Sequence, residues 1–233
     1  MSVRCVWEHN GADTLLWAVN FVGAYTRGAS LDEALRKMPR EINSYITWAG
    51  GPIPNIVEIE IEEESACDLC VRDADSDVLF TREKVPLTRV EYEDLKSLAL
   101  KSARDFQNLY DSIPDPERPL SPARGTFYGP VPRTAEEMYR HTKSVNAYYF
   151  GEIGVRADNE GTIFACRKRG FEALEAQPDF LHNSVTEGSY GEYWSLRKLL
   201  RRFIWHDRIH GRALYRTATR AFGETTVANP FRF

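Results

Sequence analysis

The sequence predicts an α+β protein. A small N-terminal α/β sheet domain over residues 1–82 is followed, over residues 83–233, by an up-down four-helix bundle. Three observations carry this. Residues 3–7 and 56–61 alternate apolar and polar side chains, the pattern of half-exposed strands. Ser30…Glu33, Thr88…Glu91 and Thr134…Glu137 each place a capping hydroxyl three residues before a glutamate, with helical apolar spacing behind it. Past Pro86 the strand pattern stops and long helical periods take over.

In order, residues 3–7 read as a short strand and Gly11-Ala12-Asp13 as a turn. Leu15 to Tyr25 fits a strand or two with a turn near Asn20. Ser30 caps a helix that Leu31, Ala34, Leu35 and Met38 carry to about Trp48, with Pro39 as a weak point and Gly50-Gly51-Pro52 as its end. Ile56 to Ile61 is a strand with acidic residues on its outer face, and 73–77 is an acidic turn. Thr88 opens a long helix whose apolar face is Leu95, Leu98, Ala99, Phe106, Leu109 and Tyr110, and Pro114 stops it. Residues 113–133 hold six prolines and two glycines among 21 residues, too many breakers for regular structure. Phe127 and Tyr128 in this loop are expected to cover a bundle end. Thr134 opens the second helix of the bundle, residues 164–176 form the third, and the last runs from about Gly191 to Phe222, closed by Gly223.

Composition narrows the function. The 233 residues are 42% hydrophobic and 27% charged, enough apolar surface for a core, and the net charge of −4 predicts no nucleic-acid partner. No apolar run reaches the roughly 18 residues a membrane span needs, and no signal-peptide core opens the chain. Four cysteines do not make a disulfide framework in a chain this long, so free thiols and a cytoplasmic location are expected. Cys67-Asp-Leu-Cys70 lacks both the strand-to-helix setting of a redox motif and the second cysteine pair of a zinc site, and reads as coincidence.

The chemistry sits in Trp205-His206-Asp207-Arg208-Ile209-His210. On a helix, His206 and His210 lie one turn apart on one face and can bind one metal ion. The helix before them has an apolar stripe of Trp194, Leu196, Leu199, Leu200 and Phe203, and Arg197, Lys198, Arg201 and Arg202 form a solvated opposite side. Counting on from Leu199 and Phe203 reaches both histidines, on or beside the buried face. Spacing alone also fits chance. Of His9, His141 and His182, only His141 lies in a second strongly helical segment, flanked on its apolar face by Met138 and Val145. Glu137 and Glu152 are candidates for a fourth ligand. Asp207 points about 100° from His206 and reads as a neighbour of the site or a surface group. Trp205 and Tyr149 are pocket walls or plain core.

Two stretches resemble known families. Phe21-Val-Gly-Ala-Tyr-Thr-Arg-Gly-Ala-Ser-Leu-Asp-Glu-Ala-Leu35 resembles the HicB-like antitoxin fold, a small sheet with a helix entered through such a turn, over roughly residues 1–80. That resemblance implies a binding domain. Thr134-Ala-Glu-Glu-Met-Tyr-Arg-His141 through Glu152-Ile-Gly154, together with Leu196 through His210, resembles the DinB-like superfamily over about residues 88–222. It implies a divalent metal, zinc or nickel, held by His141, His206 and His210. It also implies, for several members, thiol S-transferase or thiol-dependent isomerase activity.

Three imidazoles leave open positions on a zinc-like ion, the arrangement of a catalytic site. An ion so held lowers the pKa of a bound thiol, or equally of water. The expected partners are a small-molecule thiol and an electrophilic substrate. A homodimer, a metal-dependent hydrolase, a metal held for stability alone, and a regulatory protein whose HicB-like half recognises a protein partner all stay open.

Overall fold

The computed structural model describes residues 1–55, 57–126 and 129–233. The expected strand start at Ile56 and the expected role of Phe127 and Tyr128 lie outside the described residues. The protein is α+β, with a four-stranded N-terminal sheet and, among the described residues, five α-helices. Strands β1 (Ser2–Asn10), β2 (Asp13–Ala18) and β3 (Tyr25–Gly28) form an antiparallel meander. Helix α1 (Leu31–Ala49) then returns the chain so that β4 (Glu58–Ala66) lies parallel to β1, giving the order β3-β2-β1-β4.

The parallel pair runs past the expected limits: β1 begins at Ser2 and ends at Asn10, and the edge strand β4 reaches Ala66. Its glutamates at 58, 60, 62, 63 and 64 put charge along a sheet edge, which disfavours pairing with another chain. Pro39 does not interrupt α1. Ser30 accepts from the Glu33 amide at 3.3 Å, but the Glu33 carboxylate turns to the Ala29 amide at 2.8 Å, so the expected box is half formed.

The sheet is covered on both faces. Val3, Cys5, Leu16 and Ala18 join Ala34, Met38 and Ile42 of α1 in one cluster, which continues through apolar residues of the later helices. Val6, Leu15 and Trp17 point the other way, to Val71, Val78, Phe80 and Trp205. This alternation is the period-2 signal that a strand's backbone imposes.

Helices α2 (Arg89–Asp111), α3 (Ala135–Glu152), α4 (Ile163–Glu175) and α5 (Leu196–Phe222) follow. α2 and α3 each pack against both α4 and α5, while the sequential pair α2 and α3 hardly meet. The long connections make room for this order. The one between α2 and α3 carries a small ladder of β5 (Gly125–Thr126) and β6 (Gly129–Pro130), which the proline count did not predict. The one between α4 and α5 carries β7 (Thr186–Glu187) paired with β8 (Tyr193–Trp194). Helix α5 therefore begins at Leu196, not near Gly191. Trp194 is held in the ladder, and the Ser195 hydroxyl accepts from the Lys198 amide at 3.2 Å. No described helix is long and apolar enough to cross a membrane.

Both remaining capping boxes form. Thr88 Oγ1 accepts from the Glu91 amide at 3.2 Å, and Thr134 Oγ1 accepts from the Glu137 amide at 3.1 Å. Removing the Thr134 hydroxyl in Thr134→Ala leaves that amide without its partner, at an expected cost of about 1 kcal/mol in urea denaturation.

The arginine-rich side of α5 is not solvated. Arg197, Lys198 and Arg201 are buried, and each has a carboxylate partner outside α5. Arg197 Nη2 meets Glu91 Oε2 at 3.1 Å, Lys198 Nζ meets Glu192 Oε1 at 2.8 Å, and Arg201 Nε meets Glu83 Oε1 at 2.5 Å. Farther along, Arg208 meets Glu41 Oε1 of α1 at 2.9 Å. Helix α5 is enclosed by the sheet, by residues 76–86 and by the other helices. Charge in its sequence marks ion pairing, not exposure.

Candidate metal centre

His206 and His210 sit one turn apart on α5, and His141 comes from α3, which packs alongside. Their candidate ligand nitrogens all lie within 4.8 Å of one another. His141 Nε2 and His210 Nε2 are 3.1 Å apart, and the ring centroids of His206 and His210 are 4.3 Å apart. The two helices run antiparallel here: His141 faces His206 and His210, and eight residues on, Tyr149 faces Phe203 at 5.3 Å between rings.

The triad spans a gradient of burial. His206 is buried, His210 half-buried, and His141 exposed at the rim rather than set in the apolar face of α3. That helix buries Met138, Tyr139 and Thr142 instead, which turns His141 to its edge. Burial pushes all three imidazoles toward the neutral form. Desolvation leads in each case: it lowers His141, and with His141 nearby it takes His210 down to about 3. His206 is pushed well below the usual range by burial first, then by His210 and His141. Neutral imidazole is the form that binds a metal.

The residues fit a divalent ion. Three nitrogen donors converge, no described Cys, Asp or Glu joins them, and His206 Nδ1 is buried without a hydrogen-bond partner. Glu137 and Glu152 are not ligands: Glu137 accepts from the Arg133 amide at 2.6 Å, and Glu152 from the Ser189 amide at 2.6 Å. Asp207 is neither a surface group nor a neighbour of the triad's nitrogens. It is fully buried on another face of α5, bound to Arg167 of α4 and accepting from Ser102 of α2 at 2.5 Å. Tyr149 is buried with its ring 6.0 Å from His206, and Trp205 packs on Trp17 of the sheet at 5.2 Å.

His9 and His182 stay apart. His9 stacks on Trp7 and meets Glu64 at 3.1 Å, and His182 lies in the connection between α4 and α5. The four cysteines are free thiols. Burial pushes the Cys67 thiol up, and pushes that of Cys5 up to about 12, so neither is primed as a nucleophile. Arg202, which the sequence groups with the solvated arginines, is half-buried one turn before His206, and its i−4 spacing puts it on the triad's side of α5.

The depressed imidazoles set an acid response. Between the ordinary histidine pKa of 6.5 and the folded value of about 3 for His210, the unfolded chain binds a proton that the folded chain refuses. Stability is then fully present above 6.5 and falls as pH drops through this window. For His210 alone the expected loss at pH 5 is about 2 kcal/mol, from 1.36 kcal/mol per pH unit. Urea midpoints of the metal-free protein at pH 7.5 and 5 check it. A His210→Gln protein with the same acid slope would refute it.

Compared with known proteins, the chain matches no family model, no curated protein and no solved structure.

Proposed function

We propose that this chain is a DinB-like metalloprotein that uses a small-molecule thiol to attack an electrophilic small molecule, as an S-transferase or thiol-dependent isomerase. Helices α2 to α5 are its up-down four-helix bundle, residues 83–233, and residues 1–82 are a HicB-like domain. The observation that carries the reading is the convergence of three neutral imidazoles from two helices, with no fourth protein ligand among the described residues. Four free cysteines support a cytoplasmic location.

His141, His206 and His210 would hold zinc or nickel. The bound ion would supply Lewis acidity, lowering the pKa of a thiol that reaches its open side. The chain's own residues orient and enclose. His206, at the buried end, fixes the inner limit of the site, and exposed His141 leaves its outer side open to a ligand. Tyr149 closes the wall toward Phe203. In this reading residues 113–133 would cover the open side of the ion; Arg124 of this connection meets Asp73 at 3.4 Å.

The test is spectroscopic. Cobalt-loaded protein titrated with 2-mercaptoethanol is expected to develop a thiol-dependent charge-transfer band and to turn over a generic electrophile. Cobalt binding with neither response would sink the thiol reading and favour a metal held for structure. Absence of cobalt binding would favour the regulatory-protein reading.

A further inference from the structure

Arg202 stands out among the cations of α5. Arg197, Lys198, Arg201 and Arg208 each meet a carboxylate. Among the described residues Arg202 has no ion-pair partner. Its one hydrogen bond is donated from Nη1 to the Ser76 carbonyl at 3.1 Å. The two acids whose charge reaches Arg202 are committed elsewhere: Glu192 pairs with Lys198 at 2.8 Å, and Glu8 accepts from Ser76 Oγ at 2.7 Å, Trp17 Nε1 at 2.8 Å and the Asp77 amide at 3.3 Å. The guanidinium is walled by aromatic rings, with Trp205 at 4.8 Å, Trp194 at 5.7 Å and Tyr149 at 5.8 Å.

One turn of α5 holds three buried nitrogens with no partner: Arg202 Nε, Trp205 Nε1 and His206 Nδ1. Positions i, i+3 and i+4 are neighbours on a helix surface. Buried donors left unpaired are costly, and so is a cation without its anion. A turn that leaves three nitrogens unpaired and its arginine out of direct contact with any carboxylate, beside three converging imidazoles, fits a ligand that brings oxygen acceptors and negative charge.

We propose that Arg202 anchors the carboxylate of the thiol taken at the histidine triad, so that the ligand is a mercaptocarboxylate. The inference rests on the proposed thiol-using metal site and specifies its substrate class. Arg202 lies four residues before His206, a rise of about 6 Å along the helix, which suits a thiol whose carboxylate is a few bonds from its sulfur. Arg202 is a positioning and specificity residue. It holds the charged end of the ligand while the sulfur faces the triad, and a planar guanidinium does this with two parallel N–H donors.

The experiment compares 3-mercaptopropionate with 2-mercaptoethanol, thiols of similar length that differ in the carboxylate. Cobalt-loaded wild type is expected to bind 3-mercaptopropionate about tenfold more tightly by its charge-transfer band. Arg202→Gln should equalise the two thiols, and Arg202→Lys should keep part of the preference, with circular dichroism checking each fold. Equal affinities in wild type, with the band intact, overturn the role of Arg202 and leave the thiol reading standing. If no band forms, that reading fails, and Arg202 is judged on metal-free protein by tryptophan fluorescence, since Trp205 lies 4.8 Å from the guanidinium. A saturable change with propionate that Arg202→Gln abolishes supports the anion site, and no change overturns it.

Discussion

Replacing His206 with Ala is expected to abolish metal retention. His206 is the buried member of the triad and shares α5 with His210, so its loss leaves two donors, one of them exposed His141 on another helix. Changing groups that merely orient a metal ligand costs about 10–100-fold in affinity, and losing a ligand should exceed that range. Metal content after dialysis, measured on protein made without a histidine tag, reads the effect. His182→Ala is the control. It lies in the connection between α4 and α5, away from the triad, and should bind like wild type. Equal metal loss in both variants, or retention in His206→Ala, would remove the site.

The second large effect lies on another face of the same helix. Asp207→Ala should destabilise the fold by about 3–5 kcal/mol, the range for breaking a buried ion pair from one side. Asp207 and Arg167 are both fully buried, and Arg167 Nη1 also donates to the Ala99 carbonyl at 3.2 Å. Without the carboxylate, the guanidinium stays between α2, α4 and α5 with a carbonyl and the Phe203 ring, 4.1 Å away, as company. Burial works against Asp207 ionisation, and Arg167 opposes it, so the pair stands on mutual compensation. The double replacement Asp207→Leu with Arg167→Met should cost much less than the two single changes summed. Additive losses in urea denaturation would mean the two groups do not depend on each other.

Much of the architecture was legible because it is local. Thr88 and Thr134 fixed two helix starts to the residue, since a hydroxyl and a glutamate three positions on satisfy amides that no other part of the chain has to supply. The i, i+4 spacing of His206 and His210 put both on one face whatever surrounds α5. His141 was picked by elimination, and only the packing of α3 on α5 brings its nitrogen within 3.1 Å of His210.

What the tertiary structure decided is which faces of α5 are wet. By sequence, the run Arg197-Lys198 and Arg201-Arg202 is a polar stripe, and a polar stripe on an isolated helix faces water. Here Glu83 and Glu91 arrive from far back in the chain and Glu192 from the connection just before α5, pairing with three of the four, and the sheet closes over Trp205. The cost of burying a charge is settled by a partner, and a partner's position is non-local. The same is true of Asp207, whose role is set by Arg167, forty positions earlier. Local hydrogen bonds and helical period are written in neighbouring residues, whereas ion pairing, burial and the meeting of three histidines depend on which segments fold side by side.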